Sequence, residues 1–171
     1  MRRSFLLAIA ATVLLSACAE SATPRAGGAG PSPASLLPKN RLDLPDFDLA
    51  RFQALLAELR GTPVVVNIWG SWCPPCRVEA PGLTRIAREF EGDVQFVGVD
   101  ILDDREGARQ FILEFDWPYP SVFDEEGEIR DKLGYIGQPV TIVYDRDGNV
   151  TFEWVGAVTE DLLRREIRRV I

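Results

Sequence analysis

Histidine is missing from all 171 positions of the chain. That absence removes Ser-His and Cys-His nucleophile pairs, His-ligated metals and imidazole proton shuttles. Methionine occurs once, as Met1, so thioether ligands for a soft metal are missing near any site further along. Cysteine occurs only as Cys18, Cys73 and Cys76. With no second pair there is no zinc site, and Arg77 after Cys76 rules out the Cys-x-x-Cys-His haem attachment signal. Basic residues are outnumbered, 19 against 26 acidic, for a formal charge of −7. Without Arg2 and Arg3 the balance is 17 against 26, or −9, which argues against a nucleic-acid partner. Nor is there an apolar run of spanning length: Phe5 to Ala19 is about 15 residues, or about 22 Å of helix, against a hydrocarbon core of about 30 Å.

What is present is Trp72-Cys73-Pro74-Pro75-Cys76, directly after the apolar run Val64 to Trp69. Two thiols at this spacing can form a bond that is made and broken repeatedly. As a staple the bond would achieve little: closing a four-residue loop gives about 1.9 kcal/mol, against about 3 kcal/mol for fifteen residues. The pair suits chemistry better than reinforcement. Hydrophobic residues at 46% and charged residues at 26% suit one globular domain with appendages.

The N-terminus predicts export. Met1-Arg2-Arg3 and the short apolar core that follows have the form of a signal peptide over residues 1–17. Leu15-Ser16-Ala17-Cys18 resembles the lipobox of bacterial lipoproteins, which implies lipidation of Cys18 and a membrane anchor. Ala17-Cys18-Ala19 also fits ordinary signal cleavage, which would release a secreted or periplasmic protein; both routes lead out of the cytoplasm. Residues 18–40 follow as lipidated cysteine and flexible tether, Pro-rich and without apolar period, with a typical reach of about 25 Å. The folded domain is expected over 41–171.

Within it, Asp48 to Arg60 carries a 3.6-residue stripe of Leu49, Phe52, Leu55, Leu56 and Leu59 and predicts a helix ending at Gly61. Val64 to Trp69 and Val94 to Val99 are unalternating runs expected of strands covered on both faces. Pro74 to Phe90 between them repeats Val78, Leu83, Ile86, Ala87 and Phe90 at helical intervals, completing a strand-helix-strand unit. A further helix is expected over Asp104 to Phe115. Strands at Val140 to Tyr144 and Val150 to Val155 flank a turn at Asp147-Gly148, and a last helix begins near Thr159.

This order, with Cys-x-x-Cys where the first buried strand meets its helix, resembles the thioredoxin fold, an α/β three-layer architecture with a mixed central sheet flanked by helices. More narrowly, Asn67 to Pro81 and Gly137-Gln138-Pro139 to Gly148, with Gly98-Val99-Asp100 and Phe123-Asp124, are similar to the TlpA/ResA/CcmG branch of extracytoplasmic thiol-disulfide oxidoreductases. The likeness covers nearly all of residues 60–171. It implies an enzyme without a cofactor or metal, which exchanges disulfides with protein substrates and is reloaded by a membrane or extracytoplasmic redox partner. It also implies a cis Gln138-Pro139 bond in a loop facing the dithiol, with the Gln138 backbone free to pair with an extended substrate segment.

Cys73, as the cap of the following helix, is the expected attacking thiol, and Cys76, one turn inside, the resolving one. Pro74 and Pro75 fit the first helical positions but offer no N–H, so Cys73 should be activated less than in relatives with a non-proline residue before Cys76. Glu79 shares the face of Cys76 and could exchange protons with it, unless it is an exposed acid. Trp72 is expected as a wall of the site and a substrate contact. The resemblance implies reduction of disulfides, for example in cytochrome c maturation. A thiol oxidase for secreted proteins and a soft-metal-binding thioredoxin-like module stand as alternatives.

Overall fold

The computed structural model describes residues 35–171. The signal segment, Cys18 and the chain up to Ala34 lie outside the described residues.

Ten elements follow in the order α1 (Leu49–Glu58), β1 (Val64–Trp69), α2 (Pro74–Glu89), β2 (Gln95–Ile101), α3 (Arg105–Glu114), β3 (Ser121–Asp124), α4 (Glu128–Lys132), β4 (Val140–Tyr144), β5 (Val150–Val155) and α5 (Glu160–Ile167). The five strands form one sheet in the order β3-β2-β1-β4-β5. β1, β2 and β3 run parallel, and β4 and β5 are antiparallel additions. This is the mixed sheet of the expected α/β class. β1 lies at its centre and is buried at every residue, as a strand covered on both faces must be.

Side chains alternate across the pleat and build a core on each side. Val65, Trp69, Phe96, Phe123 and Val143 pack against Leu83 and Ile86 of α2, Phe111 and Ile112 of α3, and Leu163 and Ile167 of α5. Val64, Val66, Ile68, Val97, Val99 and Ile142 face Phe52 and Leu55 of α1 and Ile129 of α4. The helices start where their caps stand. The Asp48 carboxylate accepts from Arg51 N, that of Asp104 from Gly107 N, and the Thr159 hydroxyl from Leu162 N. The β4–β5 turn closes on Asp145, whose carboxylate accepts from Asp147 N and Asn149 N, with Gly148 at φ 83°.

The structure adds two elements to those the periodicity indicates, β3 and α4. Four buried residues between Pro120 and Glu125, then a five-residue helix, are too short to show a period. It also fastens the last part of the segment assigned to the tether. The Ser35 hydroxyl and Leu36 N donate to the Glu58 carboxylate of α1 at 2.8 and 3.0 Å, and Leu36 and Leu37 pack on the α1-side core. Two adjacent leucines bring apolar surface that a solvated tether has no means to bury, so Ser35 to Leu37 are held against α1.

Candidate functional site

The parallel strands β1, β2 and β3 end at the same side of the sheet, where antiparallel β4 begins. Ile68 pairs with Val140, and Trp69 with Asp100. The segment after β1 and the segment before β4 therefore meet at this end. Gly70 leads out of β1, and a Cβ there would come within 2.8 Å of the Trp72 indole nitrogen. Ser71 is anchored through its N–H and hydroxyl, which donate to the Asp103 carboxylate at 2.5 and 2.9 Å. The chain then reaches Cys73, the N-cap of α2.

Cys73 and Cys76 are joined in a disulfide, Sγ–Sγ 2.08 Å, and each is 1% exposed. Cys73 Sγ accepts from Cys76 N at 3.2 Å. Pro74 and Pro75 fill the first two helical positions without an N–H, so that of Cys76 is the first α2 can offer. The positive end of the α2 dipole lies on the Cys73 sulfur.

One turn on, Glu79 is 4% exposed. It is not the solvated acid of the simpler expectation. Its Oε1 accepts from Asn67 Nδ2 of β1 at 2.9 Å, and its Oε2 from Val158 N, in the β5–α5 loop, at 2.8 Å. Burial pushes this carboxyl up to about 7, and the two hydrogen bonds, Val158 first, pull in the opposite direction. Asn67 Oδ1 is buried without a partner. Thus the asparagine in the strand before the dithiol serves as a donor to the glutamate in the helix after it.

Gln138-Pro139 is a cis peptide bond, as the resemblance implies. The Pro139 carbonyl accepts from Gly156 N at 2.8 Å, and Gln138 Oε1 accepts from Arg130 Nη1 at 2.9 Å. Trp72 is 48% exposed beside the cysteines, whereas Trp69 is buried and stacks on Phe111 with ring centres 4.6 Å apart. Cys73, Cys76, Trp72, Gln138 and Pro139 thus share one end of the sheet, with Glu79 behind them. Cys18 lies outside the described residues. Among those residues no group of three His, Cys, Asp or Glu side chains could hold a metal ion.

Two residues have surroundings that the sequence does not reveal, although Asp100 belongs to the resemblance itself. Asp100, at the end of β2, is fully buried with both carboxylate oxygens unpartnered. Burial, reinforced by Asp103 and Asp104, pushes it up to about 10, so it is neutral at ordinary pH. A lone carboxyl within the apolar run Phe96 to Ile101 is the signal that could have marked it. Arg130 gives no such signal, because its partner Gln138 lies eight residues ahead across a loop.

Comparison with known proteins agrees with this architecture. The chain matches the AhpC/TSA family over residues 41–153. It is similar to the thiol:disulfide interchange protein DsbE of Pseudomonas aeruginosa, 36% identical over 126 residues that cover 73% of this chain and 68% of that protein. It is also similar to the thiol-disulfide oxidoreductase ResA of Bacillus thuringiensis, 28% identical over 132 residues, 75% of this chain and 76% of that one. Among solved structures, a secreted Mycobacterium tuberculosis disulfide oxidoreductase homologous to Escherichia coli DsbE superposes with a TM-score of 0.62. That match is 27% identical and covers 77% of this chain and 99% of the other.

Proposed function

The chain belongs to the AhpC/TSA family of thioredoxin-fold proteins, and on that footing we propose that it is a membrane-tethered, extracytoplasmic reductase of protein disulfides. It is a thioredoxin-like thiol-disulfide oxidoreductase. The observation that carries the reading is the Cys73–Cys76 disulfide at the N-terminus of α2.

In the reduced protein, the Cys73 thiolate attacks one sulfur of a substrate disulfide. The first substrate thiolate leaves and takes up a proton, and a mixed disulfide remains. Cys76 then gives up its proton and attacks the Cys73 sulfur, which releases the second substrate thiolate. Two electrons pass to the substrate, and the protein is left in the disulfide state seen here. Glu79, held near neutrality one turn from Cys76, receives the proton of the resolving thiol. Gln138, Pro139 and Trp72 frame the approaching segment, and the Gln138 backbone pairs with it.

A lipid at Cys18 would tether residues 41–171 outside the cytoplasm, where an apocytochrome c cysteine pair is a suitable substrate and a membrane or extracytoplasmic carrier restores the dithiol. This reading rests on the signal sequence and on the relatives, one of which is described as secreted. No described helix is long and apolar enough to cross a membrane.

The test combines the reduction potential with substrate trapping. Cys76→Ala is expected to accumulate mixed disulfides with protein partners through Cys73, and Cys73→Ala to accumulate none. The potential should lie nearer the thioredoxin value of about −270 mV than the DsbA value of about −120 mV. A potential at the upper value would assign the oxidase role, and stoichiometric Cu(I) retention without insulin reduction the metal-binding one. The intact mass of the mature chain checks Cys18.

A further inference from the structure

Between α4 and β4, residues 133–138 lead to the cis proline, and Arg130 holds this loop at two points. Its backbone carbonyl accepts from Tyr135 N at 3.1 Å, and its guanidinium Nη1 donates to Gln138 Oε1 at 2.9 Å. The guanidinium is fixed in turn: the side chain is 14% exposed, and Nε and Nη2 reach the Asp131 carboxylate at 2.8 and 2.7 Å. The Tyr135 hydroxyl is tied to Glu153 on β5. Gly134 and Gly137, at φ 87° and 85°, supply the left-handed positions on either side of Tyr135 and Ile136.

Ile136, at the tip, is 92% exposed, the most exposed of the large apolar side chains among the described residues. A single exposed aliphatic side chain is ordinary on a protein surface. This one differs in being presented by a loop pinned on both sides of it, three residues before Pro139. The register of Val140 on Ile68 places that loop at the dithiol end of the sheet. Trp72 and Val78, the latter 76% exposed, are the large exposed apolar residues that flank the cysteine pair in sequence.

We propose that Ile136 is a specificity-determining contact for an apolar residue beside the reacting cysteine of a protein substrate, and that Arg130 is the positioning residue that holds it there through Gln138. Arg130 touches no reacting atom; it acts by fixing the loop. A pre-set loop loses little conformational freedom on binding, so contact at the tip is gained at small entropic cost. The inference rests on the disulfide-exchange reading and adds to it the class of segment preferred.

The experiment uses the full chain, reduced, and two cysteine peptides identical except for leucine or serine next to the cysteine, each as its mixed disulfide with thionitrobenzoate. The readout is the ratio of the two exchange rates, which a merely structural role would not move. Wild type is expected to favour the leucine peptide by about tenfold, in line with burial of one aliphatic side chain. Ile136→Ser should bring the ratio to about one by removing that contact. Arg130→Met should lower it, and Arg130→Lys, which keeps a donor for Gln138 Oε1, should restore it in part. A wild type indifferent to the peptides, an Ile136→Ser variant with the wild-type ratio, or variants slowed equally on both would overturn the inference. A wild-type chain that exchanges no faster than Cys73→Ala would instead overturn the exchange reading on which it rests.

Discussion

Glu79 shows how much one side chain takes from the fold. Its unfolded value near 4.5 becomes about 7 because α2 buries it, although Asn67 and Val158 both donate to it. Below the lower value the carboxyl is protonated in both states and the stability it allows is fully present. Between the two values the unfolded chain ionises while the folded one keeps its proton, so stability falls as pH rises. The loss is complete just above pH 7 and amounts to about 3 kcal/mol. Glu79→Gln should remove it without a new clash, since the glutamine amide can donate to the unpartnered Asn67 Oδ1 once that amide turns over. The check is urea unfolding of the oxidised protein at pH 4 and pH 8. The variant is expected to lose about 3 kcal/mol less than wild type between them. Asp100, pushed up to about 10, also loses stability with rising pH, but identically in both proteins, so the difference isolates Glu79. An equal loss in both would mean that Glu79 titrates alike in the folded and unfolded chain, so that burial does not raise it. The helical spacing from Cys76 marks this residue in the sequence, but its burial does not follow from spacing, because Val158 closes over it from 79 residues further along.

At the scale of the element, the N-terminus of α2 sets the poise of the dithiol. A helix start normally offers N–H groups at its second and third positions to the cap side chain. Here Pro75 removes one, and Cys76 N alone donates to the Cys73 sulfur. Pro75→Ala returns the missing donor. It stabilises the reduced thiolate by about 1.5 kcal/mol, the worth of a hydrogen bond to a charged group, and raises the potential by about 30 mV. Equilibration with a glutathione buffer measures this directly, and an unchanged or lower potential would show that the prolines act only by stiffening the turn. The elements also show why part of the fold is legible and part not. β1, β4 and β5 run to the ends that their apolar residues indicate, and Asp48, Asp104 and Thr159 cap helices where sequence places them. β3 and α4 are invisible because their residues are held by neighbours: β3 by β2 on one side and by the Asp46–Phe123 bridge on the other. Leu36 and Leu37 escape for the same reason, since only the α1-side core distinguishes them from tether. At the site, the cysteines and Pro139 stand out by motif. The partners that hold Glu79 and Gln138 beside them, Asn67, Val158 and Arg130, come together only when the sheet forms.

Across the whole molecule, charge is distributed in a way that bears on substrate choice. Residues 18–171 carry a formal −9. Because β1, β2 and β3 are parallel, the segments after β2 and β3 open at the dithiol end, and they carry Asp103, Asp104, Glu125, Glu126 and Glu128. Arg77, the cation next to the cysteines, is paired with Glu114 at 2.5 Å and offers little to offset them. A negative field at the mouth of a site concentrates cationic partners and repels anionic ones, over a Debye length of about 10 Å at 0.1 M salt and about 3 Å at 1 M. Exchange with a lysine-rich cysteine peptide should therefore outrun exchange with its glutamate-rich counterpart by about tenfold at about 0.01 M salt, and the gap should close to less than about twofold at 1 M. Stopped-flow rates across that salt range decide it. Preference for the acidic peptide would reverse the sign of the field assigned to this end of the sheet. A preference for the basic peptide that does not change with salt would assign the discrimination to short-range contacts at Gln138 and Ile136 and leave net charge to govern solubility alone.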